Sequence, residues 1–118
     1  EEILAAQGVN LYPMREIREK GLSAVLCRLL ERVSTPYCHV SWDVDSLDAA
    51  YIPATGLPIP DGPTPRQVTE VLTALAATGK AVALDCVEYN PARDPDGSCC
   101  RTVLDILKPV LLALAAAQ

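Results

Sequence analysis

The chain has 118 residues, half of them hydrophobic and 21% charged, with a formal net charge of −5 and no run of Lys or Arg. That is the size of one globular domain, and it argues against a disordered chain and against nucleic acid or an anionic membrane as principal partner. The longest apolar stretch, Val110 to Ala117, is far too short to span a bilayer, and no signal-peptide pattern is present.

Gly8 to Leu11 predicts a short strand ending before Tyr12-Pro13, and Met14 to Lys20 predicts a short helix closed by Gly21. Ser23 is the expected N-cap of a second helix, in which Val25, Leu26, Leu29, Leu30 and Val33 recur at helical spacing until Thr35-Pro36 breaks it. Tyr37 to Val44 alternates as a strand does. Cys38, Val40, Trp42 and Val44 fall on one face, and Tyr37, His39, Ser41, Asp43 and Asp45 on the other. A Pro- and Gly-punctuated loop follows from Ser46 to Pro63, and loops of that length inside a domain are usually functional.

Thr64-Pro65-Arg66-Gln67 carries a capping box with Pro at the first helical position, and Gly79 is placed to close that helix. Ala81 to Leu84 is an unalternating apolar strand of the kind buried on both faces in a parallel sheet. Asp85 to Pro95 reads as a loop, and a last helix starts at Ser98, apolar nearly all round, with a kink expected at Pro109. Strands alternating with helices predict a parallel sheet. Three strands make a narrow one, so the chain reads as part of a larger α/β fold.

The first residue is Glu1, not Met, which points to a chain separated from something upstream. Phe is absent, yet the mean hydropathy is +0.19, carried by Ala, Leu and Val. That suggests apolar surface covered by a partner or by a further segment. The five cysteines are odd in number and lack any C-x-x-C spacing, a poor pattern for zinc or for disulfides. Reduced thiols in a cytoplasmic protein are the expectation.

Both acidic clusters fall at the carboxyl ends of predicted strands, where open parallel sheets gather ligands: Asp43, Asp45 and Asp48 after one, Asp85 and Glu88 after the next. Carboxylates at i and i+2 of an extended segment point to one side, about 6.6 Å apart, which suits a binuclear metal centre. The rival reading is a solvated acidic loop. An EF-hand fails, because Asp48 stands where Gly is required and Ala54 where Glu is required. His39 is about 13 Å along the strand from Asp43 and is expected to be a hydrogen-bonded structural histidine. Ser41 is better placed to orient a metal-bound carboxylate. Glu88 could receive a guanidinium fork.

The run His39-Val40-Ser41-Trp42-Asp43-Val44-Asp45-Ser46-Leu47-Asp48, with Pro53-Ala54-Thr55-Gly56 downstream, closely resembles the ureohydrolase signature S-x-D-x-D-x-x-D-P followed by P-x-T-G. Asp85-Cys86-Val87-Glu88-Tyr89-Asn90-Pro91 resembles the matching D-x-x-E-x-N-P segment, and Cys100-Arg101-Thr102-Val103 the start of the family's last helix. The likeness spans nearly the whole chain and is closer to arginase than to agmatinase.

This resemblance implies a three-layer α/β/α fold with a parallel sheet, of which residues 1–118 form the C-terminal portion of a single domain. It implies two Mn2+ ions per complete site, with Asp43 bridging both and Asp45 holding the second. It further implies Ser41 behind the ligands, Glu88 as the catalytic carboxylate that receives the substrate guanidinium, and Thr55 and Gly56 in the substrate-side loop. The implied reaction is hydrolysis of L-arginine to ornithine and urea. The family's histidine ligands lie upstream, so the chain alone is expected to bind manganese weakly and to be inactive without an N-terminal segment. A trimer or hexamer is also implied. Three departures bear on substrate more than on metal: Ala49 follows Asp48 where the family has Pro, Leu57 stands where Thr is common, and Asp61-Gly62 replaces Gly-Gly. An agmatinase or other guanidino-acid hydrolase, and a non-catalytic subunit of the same fold, stay open as alternatives.

Overall fold

The computed structural model describes residues 2–117 and divides into two compact units, 1–32 and 33–118. The first is helical: α1 (Glu2–Ala6), α2 (Met14–Lys20) and α3 (Leu22–Arg32). Glu16 on α2 pairs with Lys20 one turn later and with Arg28 on α3. The Arg28 guanidinium lies over the Tyr12 ring at 5.6 Å. Hydrogen bonds from Lys20 and then Arg28 hold the Glu16 carboxyl below its ordinary range.

Two expectations in this unit are corrected. Gly8–Leu11 is not a strand. Gly8 turns at φ 75° and the Val9 amide bonds back to the Leu4 carbonyl at 2.9 Å, so these residues close α1 in a Schellman-type turn. Ser23 is not an N-cap either. Gly21, at φ 83°, ends α2, and its carbonyl accepts the Val25 amide, so α3 begins at Leu22 and Ser23 lies in its first turn.

In the second unit, β1 (Cys38–Asp43) and β2 (Ala81–Val87) form a parallel pair, linked through a 3-10 turn at Val44–Ser46, a long loop and α4 (Pro65–Ala77). The capping box of α4 closes in both directions: the Gln67 amide donates to Thr64 Oγ1 at 3.3 Å and the Thr64 amide to Gln67 Oε1 at 2.9 Å. A second 3-10 turn at Pro91–Arg93 leads into α5 (Ser98–Ala116).

Helices α4 and α5 pack together over one face of the sheet. Val68, Leu72 and Ala76 meet Cys99, Val103, Ile106 and Val110, with Val40, Trp42 and Leu84 beneath them. Val44, Leu47 and Ile52 extend this core under the loop. The helix α5 expected to be apolar all round buries only one face; Leu104, Leu111 and Leu112 are exposed on the other. β2 also departs from expectation. It runs three residues further than Leu84 and takes in Asp85, while Val82 and Ala83 are exposed instead of buried on both faces. The register slips between Cys38 and His39, leaving Val82 without an opposite number, and within this unit the helices cover a single sheet face.

Candidate active site

Asp43 is the last residue of β1, extended at φ −87°, ψ 121°. There the expected extended Asp-x-Asp arrangement ends, because the chain turns at once into the 3-10 segment Val44–Ser46. The cause lies in the apolar spacing. Val44 and Leu47 are both buried, at 0% and 1% exposure, and residues three apart share a face in a 3-10 turn but oppose each other in a strand. Asp43 fastens the turn: its Oδ1 accepts the Asp45 amide at 3.0 Å, and its carbonyl accepts the Ser46 hydroxyl at 2.6 Å.

The two carboxylates are therefore drawn together by a turn. Burial, a hydrogen bond to the Asp43 side chain, and the charges of Asp43 and Glu88 all push the Asp45 carboxyl above its ordinary range. Burial and then the Asp43 charge push the Cys86 thiol up as well. Each neighbour that perturbs Asp45 is acidic. Hard oxygen donors crowded in this way fit a divalent cation such as manganese, which lowers the energy of the ionised pair. They form a partial donor set, since among the described residues no three His, Cys, Asp or Glu side chains come together to hold an ion.

Glu88 follows the end of β2, whose Val87 lies opposite Asp43. Its φ is +67°, the left-handed region, a strain of about 1–3 kcal/mol for a residue with a Cβ. The residues after it are pinned to the loop after β1. Tyr89 bridges antiparallel to Thr55, and the Asn90 amide donates to the Ala54 carbonyl at 2.9 Å. Gly56 then lies beside the Glu88 carboxylate, whose Oε2 is 3.5 Å from where a Cβ on Gly56 would stand. Thr55 is fully enclosed: its carbonyl accepts Arg93 Nη1 at 2.8 Å, and its buried hydroxyl has no hydrogen-bond partner among the described residues. Thr55, Gly56 and Glu88 thus converge, with Gly56 and Glu88 exposed and Thr55 behind them.

The other acidic residues turn elsewhere. Asp48 organises its own loop, accepting the Ala50 amide at 2.8 Å and the Asp61 amide at 2.7 Å. Asp85 Oδ2 lies 3.0 Å from His39 Nε2, an exposed pair on the open sheet face. Ser41 lies on that same face opposite Asp85, and among the described residues it makes no hydrogen bond to Asp43.

Two residues escape a reading of the sequence. Arg93 holds the Thr55 carbonyl. Asp94, 8% exposed, accepts the Cys99 amide at 3.1 Å through Oδ1, and the Cys100 amide and the Tyr89 hydroxyl, each at 2.8 Å, through Oδ2. It caps the first turn of α5. Burial pushes its carboxyl up, but the bonds from Cys100, Tyr89 and Cys99 prevail and bring it down to about 2; the same bond raises the Tyr89 phenol to about 12. The available signal was the pair Asp94 and Asp96 ahead of a helix start.

Known proteins resemble this chain in sequence and in fold. The Arginase family profile matches residues 1–112. An arginase of Brucella melitensis biotype 1 is 39% identical over 105 residues, which are 87% of this chain and 34% of that protein. The proclavaminate amidino hydrolase of Streptomyces clavuligerus superposes with a TM-score of 0.89 at 28% identity, covering 99% of this chain and 39% of its own. Arginase from Bacillus subtilis gives a TM-score of 0.85 at 26% identity, with 93% and 40% covered. The chain spans about a third of the length of the curated relatives it matches. On sequence and fold together, it belongs to the arginase family.

Proposed function

We propose that this chain forms the C-terminal portion of a two-manganese ureohydrolase that cleaves L-arginine to ornithine and urea. The observation that carries the reading is the Asp43–Asp45 turn at the carboxyl end of β1, with Glu88 following the end of the paired parallel strand β2. Asp43 and Asp45 hold the metal, Asp43 already fixed in direction by the Asp45 amide. When bound, the paired ions supply Lewis-acid activation of water near neutral pH.

Glu88 accepts the planar guanidinium by a charge-assisted fork and holds its carbon in position for attack. The bare backbone of Gly56 leaves room for the substrate beside that carboxylate, and Thr55 sets the loop from behind. Ser41, one pleat before Asp43, lies on the strand that presents it. The remaining ligands come from an N-terminal segment, without which this chain binds manganese weakly and turns over nothing. The same reading carries a cytoplasmic homo-oligomer.

The test is urea release from L-arginine together with the manganese content of the intact protein. Asp43→Asn and Asp45→Asn each lower metal occupancy and abolish activity; full activity in both variants removes the proposal. A second reading, hydrolysis of a different guanidino acid, is favoured by exposed Leu57 where the family commonly has Thr and by the likeness to the proclavaminate enzyme. Faster turnover of another guanidino acid than of arginine establishes it.

A further inference from the structure

We propose that the Tyr89–Asp94 hydrogen bond is a positioning device for Glu88, tying the residue after Glu88 to the first turn of α5. The inference rests on the reading of Glu88 as the guanidinium acceptor. A residue with a side chain stays in the left-handed region only where its surroundings over-determine it. Before Glu88, the pairing of Val87 with Asp43 fixes the strand. After it, the structure supplies three restraints within a few residues. The Tyr89 backbone bridges to Thr55, the Asn90 amide holds the Ala54 carbonyl, and the Tyr89 hydroxyl donates to Asp94 Oδ2 at 2.8 Å.

The first two restraints join one loop to another. Only the third anchors to regular structure, because Asp94 is held by the Cys99 and Cys100 amides of a nineteen-residue helix packed in the core. Arg93 adds a strut from the same 3-10 turn to the Thr55 carbonyl at 2.8 Å. The Tyr89 phenol, raised to about 12, keeps its proton and so remains a donor across the physiological range. Tyr89 and Asp94 are positioning residues, since they act on substrate through Glu88.

The experiment uses the intact protein and titrates L-arginine calorimetrically, with and without manganese, alongside kcat, KM and thermal midpoint. Tyr89→Phe removes one hydroxyl and leaves the α5 cap amides on Asp94. Losing one such hydrogen bond is expected to weaken arginine binding and raise KM by about three- to tenfold, with the thermal midpoint little changed. Asp94→Asn should shift binding in the same direction, with a lower midpoint because it also weakens the cap. Glu88→Gln separates the two readings. If it leaves arginine binding intact, the assignment of Glu88 fails and the positioning role falls with it. If Glu88→Gln abolishes binding while Tyr89→Phe binds arginine as the parent does, Glu88 keeps its assignment and the positioning role is overturned.

Discussion

Gly62 is the position where the geometry makes the sharpest demand on side-chain size. A Cβ there would stand 2.6 Å from the Asp48 amide nitrogen, 2.6 Å from the Ser46 carbonyl oxygen and 2.7 Å from the Leu47 carbonyl carbon. All three are backbone atoms of the segment Ser46–Asp48 that directly follows Asp45, so none can swing aside as a side chain can. Gly62→Ala must displace one strand of the loop from the other. Overpacking of this kind costs about 1–3 kcal/mol. Separating the segments also strains the Asp48 amide bond to Pro63 (3.1 Å) and the Asp48 carboxylate bond to the Asp61 amide (2.7 Å). Each such bond contributes about 0.5–1.5 kcal/mol, more where a charge takes part, so a total near 3 kcal/mol is expected. Denaturant unfolding of the intact protein measures that loss, and manganese titration should show weaker binding, because the Ser46 and Leu47 backbone moves with Asp45. A variant that unfolds within about 0.5 kcal/mol of the parent and retains its metal affinity would refute the packing argument.

Two further outcomes follow from single residues. Glu88→Gly relieves a left-handed backbone strain of about 1–3 kcal/mol, offset by roughly 1 kcal/mol of added chain entropy; the variant should be as stable as the parent or more so while losing the proposed arginine hydrolysis, and a clear loss in a denaturant melt contradicts it. Asp94 carries a carboxyl lowered to about 2 against an unfolded value near 3.9, so its stabilisation is complete above pH 4 and is lost as pH falls through 2. Acid titration of Asp94→Asn should therefore show a shallower decline between pH 4 and 2 than the parent, and parallel curves would be the contrary result.

The elements legible in the sequence are those set by neighbours in the chain. Thr64 and Gln67 form their capping box because both partners lie within four residues, and Gly79 follows the α4 cap at φ 70° as its position predicts. Cys38 to Asp43 form a strand because its alternation matches the buried and open faces of one sheet. Alternation alone, however, runs from Tyr37 through Val44, and only the three-residue spacing of Val44 and Leu47 reveals the turn. Val9 could have entered a sheet, but its amide was taken by Leu4. The left-handed backbone at Glu88 has no signature in the sequence, since nothing in a glutamate announces a positive φ. Asp94 is hidden for a related reason. Its partners are the amides of Cys99 and Cys100 and the Tyr89 hydroxyl, groups whose meeting depends on how the loop after β2 folds against α5.

Parallel pairing of β1 with β2 has a kinetic consequence. Asp43 ends one strand and Glu88 follows the other, and the two strands can meet only after a whole crossover, with its long loop and α4, has formed between them. Closing such a circuit carries an entropy penalty before any contact rewards it, so the acidic mouth is assembled late. During synthesis, a nascent chain that has not yet emitted β2 holds the Asp43–Asp45 turn before Val87 and Glu88 can come beside it.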